Sequence, residues 1–182
     1  MRKMMLGGAM LLALSATGAV AMTDPMVGGA MMYPSKTIVQ NASQAKNLTT
    51  LVAAVKAAGL VDTLSGPGPF TVFAPTNDAF AALPAGTVDT LLKPENKAKL
   101  TQVLTYHVVP GRLTARALMA DVKKGGGSAT LTTVEGDTLT VTDPNGKLML
   151  ADSNGDMAAI VTKNVAQSNG MVHVIDKVLM PK

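Results

Sequence analysis

Apolar side chains at Leu48, Leu51, Val52 and Val55 recur at i, i+3, i+4 and i+7, the spacing of a helix that buries one face. Asn47 stands ahead of this run as a capping side chain, and Gly59 suits the left-handed residue that stops it. A second helix is predicted over "KPENKAKLTQVLTYH". Pro94 fits its first position, Glu95 lies near its positive end, and Leu100, Val103, Leu104 and His107 share one stripe. Between the two helices, "GPGPF" reads as a turn feeding an apolar strand that starts at Phe70. Pro75 cannot donate to a sheet ladder, so that strand is expected to end at Ala74. In the stretch "FTVFAPTNDAF", Thr76 or Asn77 is then placed to cap a following helix, with Asp78 offsetting its dipole and Phe80 and Leu83 turned onto the core.

After "YHVVPG" the period changes from helical to alternating. "ATLTTVEGDTLTVTDPNGKLML" interleaves apolar and Thr positions and is broken at Glu135-Gly136-Asp137 and at Asp143-Pro144-Asn145-Gly146, the signature of hairpin strands. Two further strands, Ile160 to Val165 and Met171 to Val174, flank a turn at Ser168-Asn169-Gly170. Helices first and strands last predict an α+β domain with a mostly antiparallel sheet, not a doubly wound parallel one.

The first residues have the pattern of an export signal, with Arg2 and Lys3, an apolar stretch from Met4 to about Ala16, and Ala19-Val20-Ala21 as the cleavage site. Glycines, Ser15 and Thr17 leave that stretch poor in the bulky residues of a membrane span. The expected organisation is a signal peptide over 1–21, an arm rich in Met, Gly and Pro over 22–34, and one domain over 35–182. Cleavage leaves 161 residues with 14 basic and 12 acidic side chains, so the basic character partly belongs to the leader. With three Phe, two Tyr and no Trp there are too few stacking platforms for nucleic-acid binding. The absence of cysteine removes disulfides, thiolate metal sites, a thiol nucleophile and a lipid anchor on cysteine. The product is expected to be secreted or periplasmic, without stable membrane insertion.

Catalytic groupings are scarce. The only histidines, His107 and His173, sit in the apolar runs "LTYHVV" and "MVHVID", without the spacing of a metal site. As a strand residue, His173 falls on the opposite face from Val172 and Val174, either exposed or in a second apolar layer. No nucleophile elbow, phosphate loop or dinucleotide fingerprint is present. A hydrolase using Asp78 and His107 requires them within hydrogen-bond reach of each other, or bridged by a water. The arm offers a different chemistry, because the thioethers of Met22, Met26, Met31 and Met32 are soft ligands suited to Cu(I), with or without His107. A copper-handling or small-ligand protein is therefore the alternative to a module with no cofactor. Asn41 and Asn47 each open an N-x-[ST] triplet, a glycosylation signal in a suitable host.

Three separated stretches, "FTVFAPTNDAF", "LTYHVVPG" and "NGMVHVIDKVLMP", resemble in order and spacing the motifs of the fasciclin (FAS1) domain family, from about Ser35 to Met180. The resemblance implies a β-sandwich or wedge with helices packed on it, generally without enzymatic activity and used in adhesion and matrix proteins. It makes Thr76, Asn77 and Asp78 a structural motif and Tyr106 and His107 candidate interaction residues, with a protein or surface polysaccharide as partner. An Asp-Ile pair linked to integrin binding in animal members corresponds here to Asn164-Val165, so integrin recognition does not carry over.

Overall fold

A computed structural model describes residues 24–182. The expected signal peptide and Met22 lie outside the described residues. The chain begins with a hairpin, β1 (Met26–Val27) and β2 (Ala30–Met31), and continues through α1 (Ile38–Ala42), α2 (Thr49–Ala58) and α3 (Val61–Ser65) into β3 (Phe70–Pro75). Then come α4 (Asn77–Ala81), α5 (Thr87–Leu91), a 3-10 turn at Pro94–Asn96, α6 (Lys97–Tyr106), β4 (Val108–Pro110) and α7 (Ala115–Lys124). The last part is β5 (Ser128–Thr132), β6 (Thr138–Thr142), β7 (Met149–Ala151), β8 (Met157–Gln167) and β9 (Gly170–Ile175).

Seven strands form one sheet in the order β4-β3-β9-β8-β7-β6-β5. Every pair is antiparallel except β3 with β9, which run parallel from Phe70↔Gly170 to Pro75↔Ile175. The fold is therefore α+β, although the hairpin β1–β2 precedes the helices and β3 and β4 lie among them, so only β5 to β9 follow the expected order of strands last. Val134 N–H, just after β5, donates to Val108 C=O of β4 at 2.8 Å, so the two ends of the sheet curl together. Curling covers main-chain groups that an open edge would leave unpaired.

β3 and β9 run through the middle with both faces covered. Val72, Ala74, Val172 and Val174 face a cluster made with Leu51 and Val55 of α2 and Leu100, Val103 and Leu104 of α6. Phe73 and Ile175 face the opposite way, into a second cluster with Leu118 and Val122 of α7, Leu139 and Val141 of β6, and Leu150 of β7. Two-sided burial explains why Phe70 to Pro75 is apolar at every position but Thr71, whose buried hydroxyl donates to Gly111 C=O at 2.7 Å. The helical stripe read for α2 is buried at Leu51 and Val55, and Gly59 closes that helix at φ +73°. Helix α7 was not expected from the alternating pattern that follows "YHVVPG", although Thr114 caps it and Ala115, Leu118 and Val122 lie buried at helical spacing.

The arm expected over 22–34 has regular structure among its described residues. It folds as the hairpin β1–β2, and Val27 and Met32 enter the first core cluster.

Candidate functional site

The corner after β3 holds two helices at once. Thr76 Oγ1 accepts from Ala79 N–H at 3.2 Å and caps α4. Asn77 turns the other way. Its Oδ1 accepts from Thr50 N–H at 3.0 Å, its Nδ2 donates to Lys46 C=O at 3.0 Å, and its own N–H donates to Asn47 C=O at 2.8 Å. Asn77 thus caps the start of α2, an element earlier in the chain. Asn47, the expected cap, does not serve: the N-cap position of α2 is Leu48, and no side chain of its own caps it. Asn47 instead packs under the hairpin turn, where a Cβ on Gly28 would fall 2.2 Å from its Oδ1. Asp78 stands exposed in the first turn of α4. Thr76→Ala is expected to cost about 1 kcal/mol, the usual effect of losing a cap. Asn77→Ala should cost about 2 kcal/mol, because it strips partners from both α2 and the Lys46 carbonyl. Thermal melting of the two variants checks this, and a smaller loss in Asn77→Ala than in Thr76→Ala would contradict the cross-helix cap.

Tyr106 and His107 end α6 and point into different layers. Both are buried, at 0% and 2% exposure, so neither ring is presented to a partner, contrary to their reading as interaction candidates. Tyr106 OH donates to Thr138 C=O at 2.9 Å and accepts from Ser153 N–H at 3.0 Å, fastening the start of β6 and the turn before β8 to the helix end. Burial raises the Tyr106 pKa, against the opposing pull of the Ser153 hydrogen bonds. His107 Nδ1 lies 2.7 Å from Val103 C=O, and Nε2 accepts from Leu179 N–H at 3.0 Å. A carbonyl partner on one side and an N–H on the other require a neutral ring protonated at Nδ1. Burial first of all pushes the His107 pKa down to about 4, while the Val103 hydrogen bond and the charge of Asp152 oppose the shift.

His173 uses the opposite tautomer. Its Nε2 donates to Leu113 C=O at 2.7 Å, its Nδ1 accepts from Asn164 N–H at 3.3 Å, and its ring stacks on Phe73 at 5.7 Å. Of the two placements open to it, it takes the second apolar layer, fully buried. Burial lowers its pKa, with the Leu113 carbonyl opposing. Neither histidine meets Asp78, since both nitrogens of each ring are engaged by main-chain groups. A hydrolytic Asp78–His107 pair is thereby removed.

Asn164 occupies a break in the β8 register, in the left-handed region at φ +60°, and its Oδ1 accepts from Ala115 N–H at 2.7 Å. Together with Thr114 it caps α7, so the position aligned with the integrin-linked carboxylate has a structural task here. Sequence reasoning also missed a polar network around the turn between β8 and β9. Buried Asn41 exchanges hydrogen bonds with the Tyr33 backbone and donates to buried Gln167. Asn169 accepts from Ile38 N–H and donates to Leu64 and Gly66 carbonyls. Asn41 in α1, Gln167 at the end of β8 and Asn169 in the turn lie far apart in sequence and carry no periodic signal that could have united them. The burial of Asn41 also closes its triplet to glycosylation in the folded chain.

Among the described residues, no three His, Asp or Glu side chains converge as metal ligands. Beneath α1 lies an apolar cavity of about 30 Å³, lined by residues including Ile38, Leu51, Val72 and His107, room for little more than a water. Among the described residues, no helix is long and apolar enough to cross a membrane.

A sequence model of the fasciclin domain matches residues 46–181. The chain belongs to the fasciclin domain family. A relative, Protein sll1483 of Synechocystis, is 49% identical over 156 residues, covering 86% of this chain and 79% of that protein. The cell surface glycolipoprotein MPB83 of Mycobacterium bovis is 38% identical over 146 residues, covering 77% of this chain and 58% of its own. A solved FAS1 domain pair from the insect cell adhesion molecule Fasciclin I shares the fold at a TM-score of 0.70 and 19% identity, covering 80% of this chain and 51% of that one. The fasciclin match begins at Lys46, so the hairpin and α1 precede it.

Proposed function

We propose that this fasciclin-domain protein is an exported, non-catalytic interaction module that associates with a protein or polysaccharide at the cell surface or matrix. The observation that carries this reading is the fate of the motif residues. His107 and His173 are both buried with each ring nitrogen satisfied by main-chain groups, so neither histidine is poised as a general base. Tyr106 is equally enclosed, so binding belongs to the exposed outer surface. The pattern of residues 1–21 supports export, and the names of the mycobacterial and insect proteins support surface association and adhesion. No cofactor enters this reading.

Deleting the gene and measuring attachment of the cells to surfaces, under several conditions, tests it. Attachment should fall and return when the wild-type gene is restored. Attachment equal to that of the parent under all conditions removes the adhesive role.

A further inference from the structure

The N-terminal hairpin sets two exposed thioethers side by side. Its two-residue turn, Gly28-Gly29, has φ +58° and +79°, the positive pair that a type I′ hairpin requires and that other residues resist. The turn fixes the register Val27↔Ala30 and Met26↔Met31. One step further out, Met32 N–H donates to Pro25 C=O at 3.0 Å, and Pro25 has no N–H to return. Hydrogen-bonded and non-hydrogen-bonded pairs alternate along an antiparallel ladder, so Met26 and Met31 form a non-hydrogen-bonded pair. In such pairs the side chains stand closest, with Cβ atoms about 4.5 to 5.5 Å apart.

Strand alternation sorts the methionines of this segment. Met32 is 2% exposed and belongs to the core, so it drops out of any ligand set, whereas Met26 and Met31 are 61% and 46% exposed. The platform beneath them is fixed. Val27 is buried in the core, Lys46 N–H donates to Gly28 C=O at 3.3 Å, and Gly28 lies directly on Asn47. A hairpin held this way keeps both sulfurs on one face before any ligand arrives, which reduces the ordering cost of binding.

We propose that Met26 and Met31 form a two-thioether site for a soft monovalent cation of the Cu(I) and Ag(I) class. Thioethers select such ions over hard divalent ones. They carry no proton, so binding releases none and is independent of pH, unlike a site built from His, Cys or carboxylates. His107, buried and engaged at both nitrogens, plays no part. The site lies ahead of the fasciclin match.

The test is an anaerobic titration of the full chain with Ag(I), read from the methionine ε-methyl NMR signals, together with Cu(I) competition against a chromophoric chelator. The signals of Met26 and Met31 should move together. Met26→Leu and Met31→Leu, which keep side-chain volume, should each weaken this binding by roughly tenfold or more. Met157→Leu, at another exposed methionine, should leave it unchanged, and the affinity should stay flat between about pH 5 and 8. The proposal is overturned if the Met26 and Met31 signals stay still, if neither Leu variant weakens binding, or if affinity follows pH.

Discussion

Stability should fall as pH drops from about 6.5 towards 4, with His107 carrying the largest share. In the unfolded chain His107 titrates near its ordinary value of 6.5, while burial holds it at about 4 in the fold. Above 6.5 both states are neutral and its contribution is fully present. Between those two values the unfolded chain binds a proton that the fold refuses, which amounts to about 3 kcal/mol by pH 4. The structural cause is specific: a proton added to Nε2 would face Leu179 N–H, which now donates to it. His173 shifts in the same direction, and a proton on its Nδ1 would likewise oppose Asn164 N–H. His107→Ala should lower stability at pH 7 by about 3 kcal/mol or more, since it opens a cavity and leaves Val103 C=O and Leu179 N–H without partners. Denaturant unfolding across the pH range should show a shallower acid slope in this variant, the remainder belonging to His173. A slope identical to that of the wild type would contradict the assignment.

Gly170→Ala should be at least as damaging. Gly170 is paired with Phe70 at the start of the parallel β3–β9 ladder. A Cβ at this position would lie 1.9 Å from Phe70 O, 2.9 Å from Phe70 C and 3.0 Å from Phe70 N, closer than side chains ordinarily come to backbone. All three atoms are backbone, so relief requires moving two central strands apart. The expected loss is about 3 kcal/mol or more, read from the denaturant midpoint or from failure to accumulate folded protein. A variant that melts within a degree or two of the wild type would show that the ladder yields easily at this end.

Gly170 also shows where sequence reasoning stops. It reads as a turn residue in Ser168-Asn169-Gly170, and the turn is there, but the glycine is required by a close approach to a strand about a hundred positions away in the chain. Local signals were legible: the Leu51 and Val55 stripe, the stop at Gly59, and the alternating strands from Ser128 onwards. Gly28-Gly29 is an equally local hairpin signal, hidden in an arm characterised only by its Met, Gly and Pro content. What could not be read is pairing between distant segments. The parallel contact of β3 with β9, the capping of α2 by Asn77 and the capping of α7 by Asn164 each join residues whose proximity only the fold creates. The same applies to the candidate site. The apolar runs around His107 and His173 argue against a metal site, while the family resemblance makes Tyr106 and His107 candidate contact residues. Their burial became visible only with the Thr138, Ser153 and Leu179 partners in place.

The central claim is that the motif residues hold the domain together while an outer surface binds. The most direct measurement restores a deletion strain with Asn77→Ala or His107→Ala and compares attachment per folded molecule, at neutral pH and a temperature well below each variant's midpoint. The account predicts attachment equal to the wild type once folded protein is matched. Attachment lost in either variant while the protein remains fully folded would contradict it, and would place these residues in the binding site.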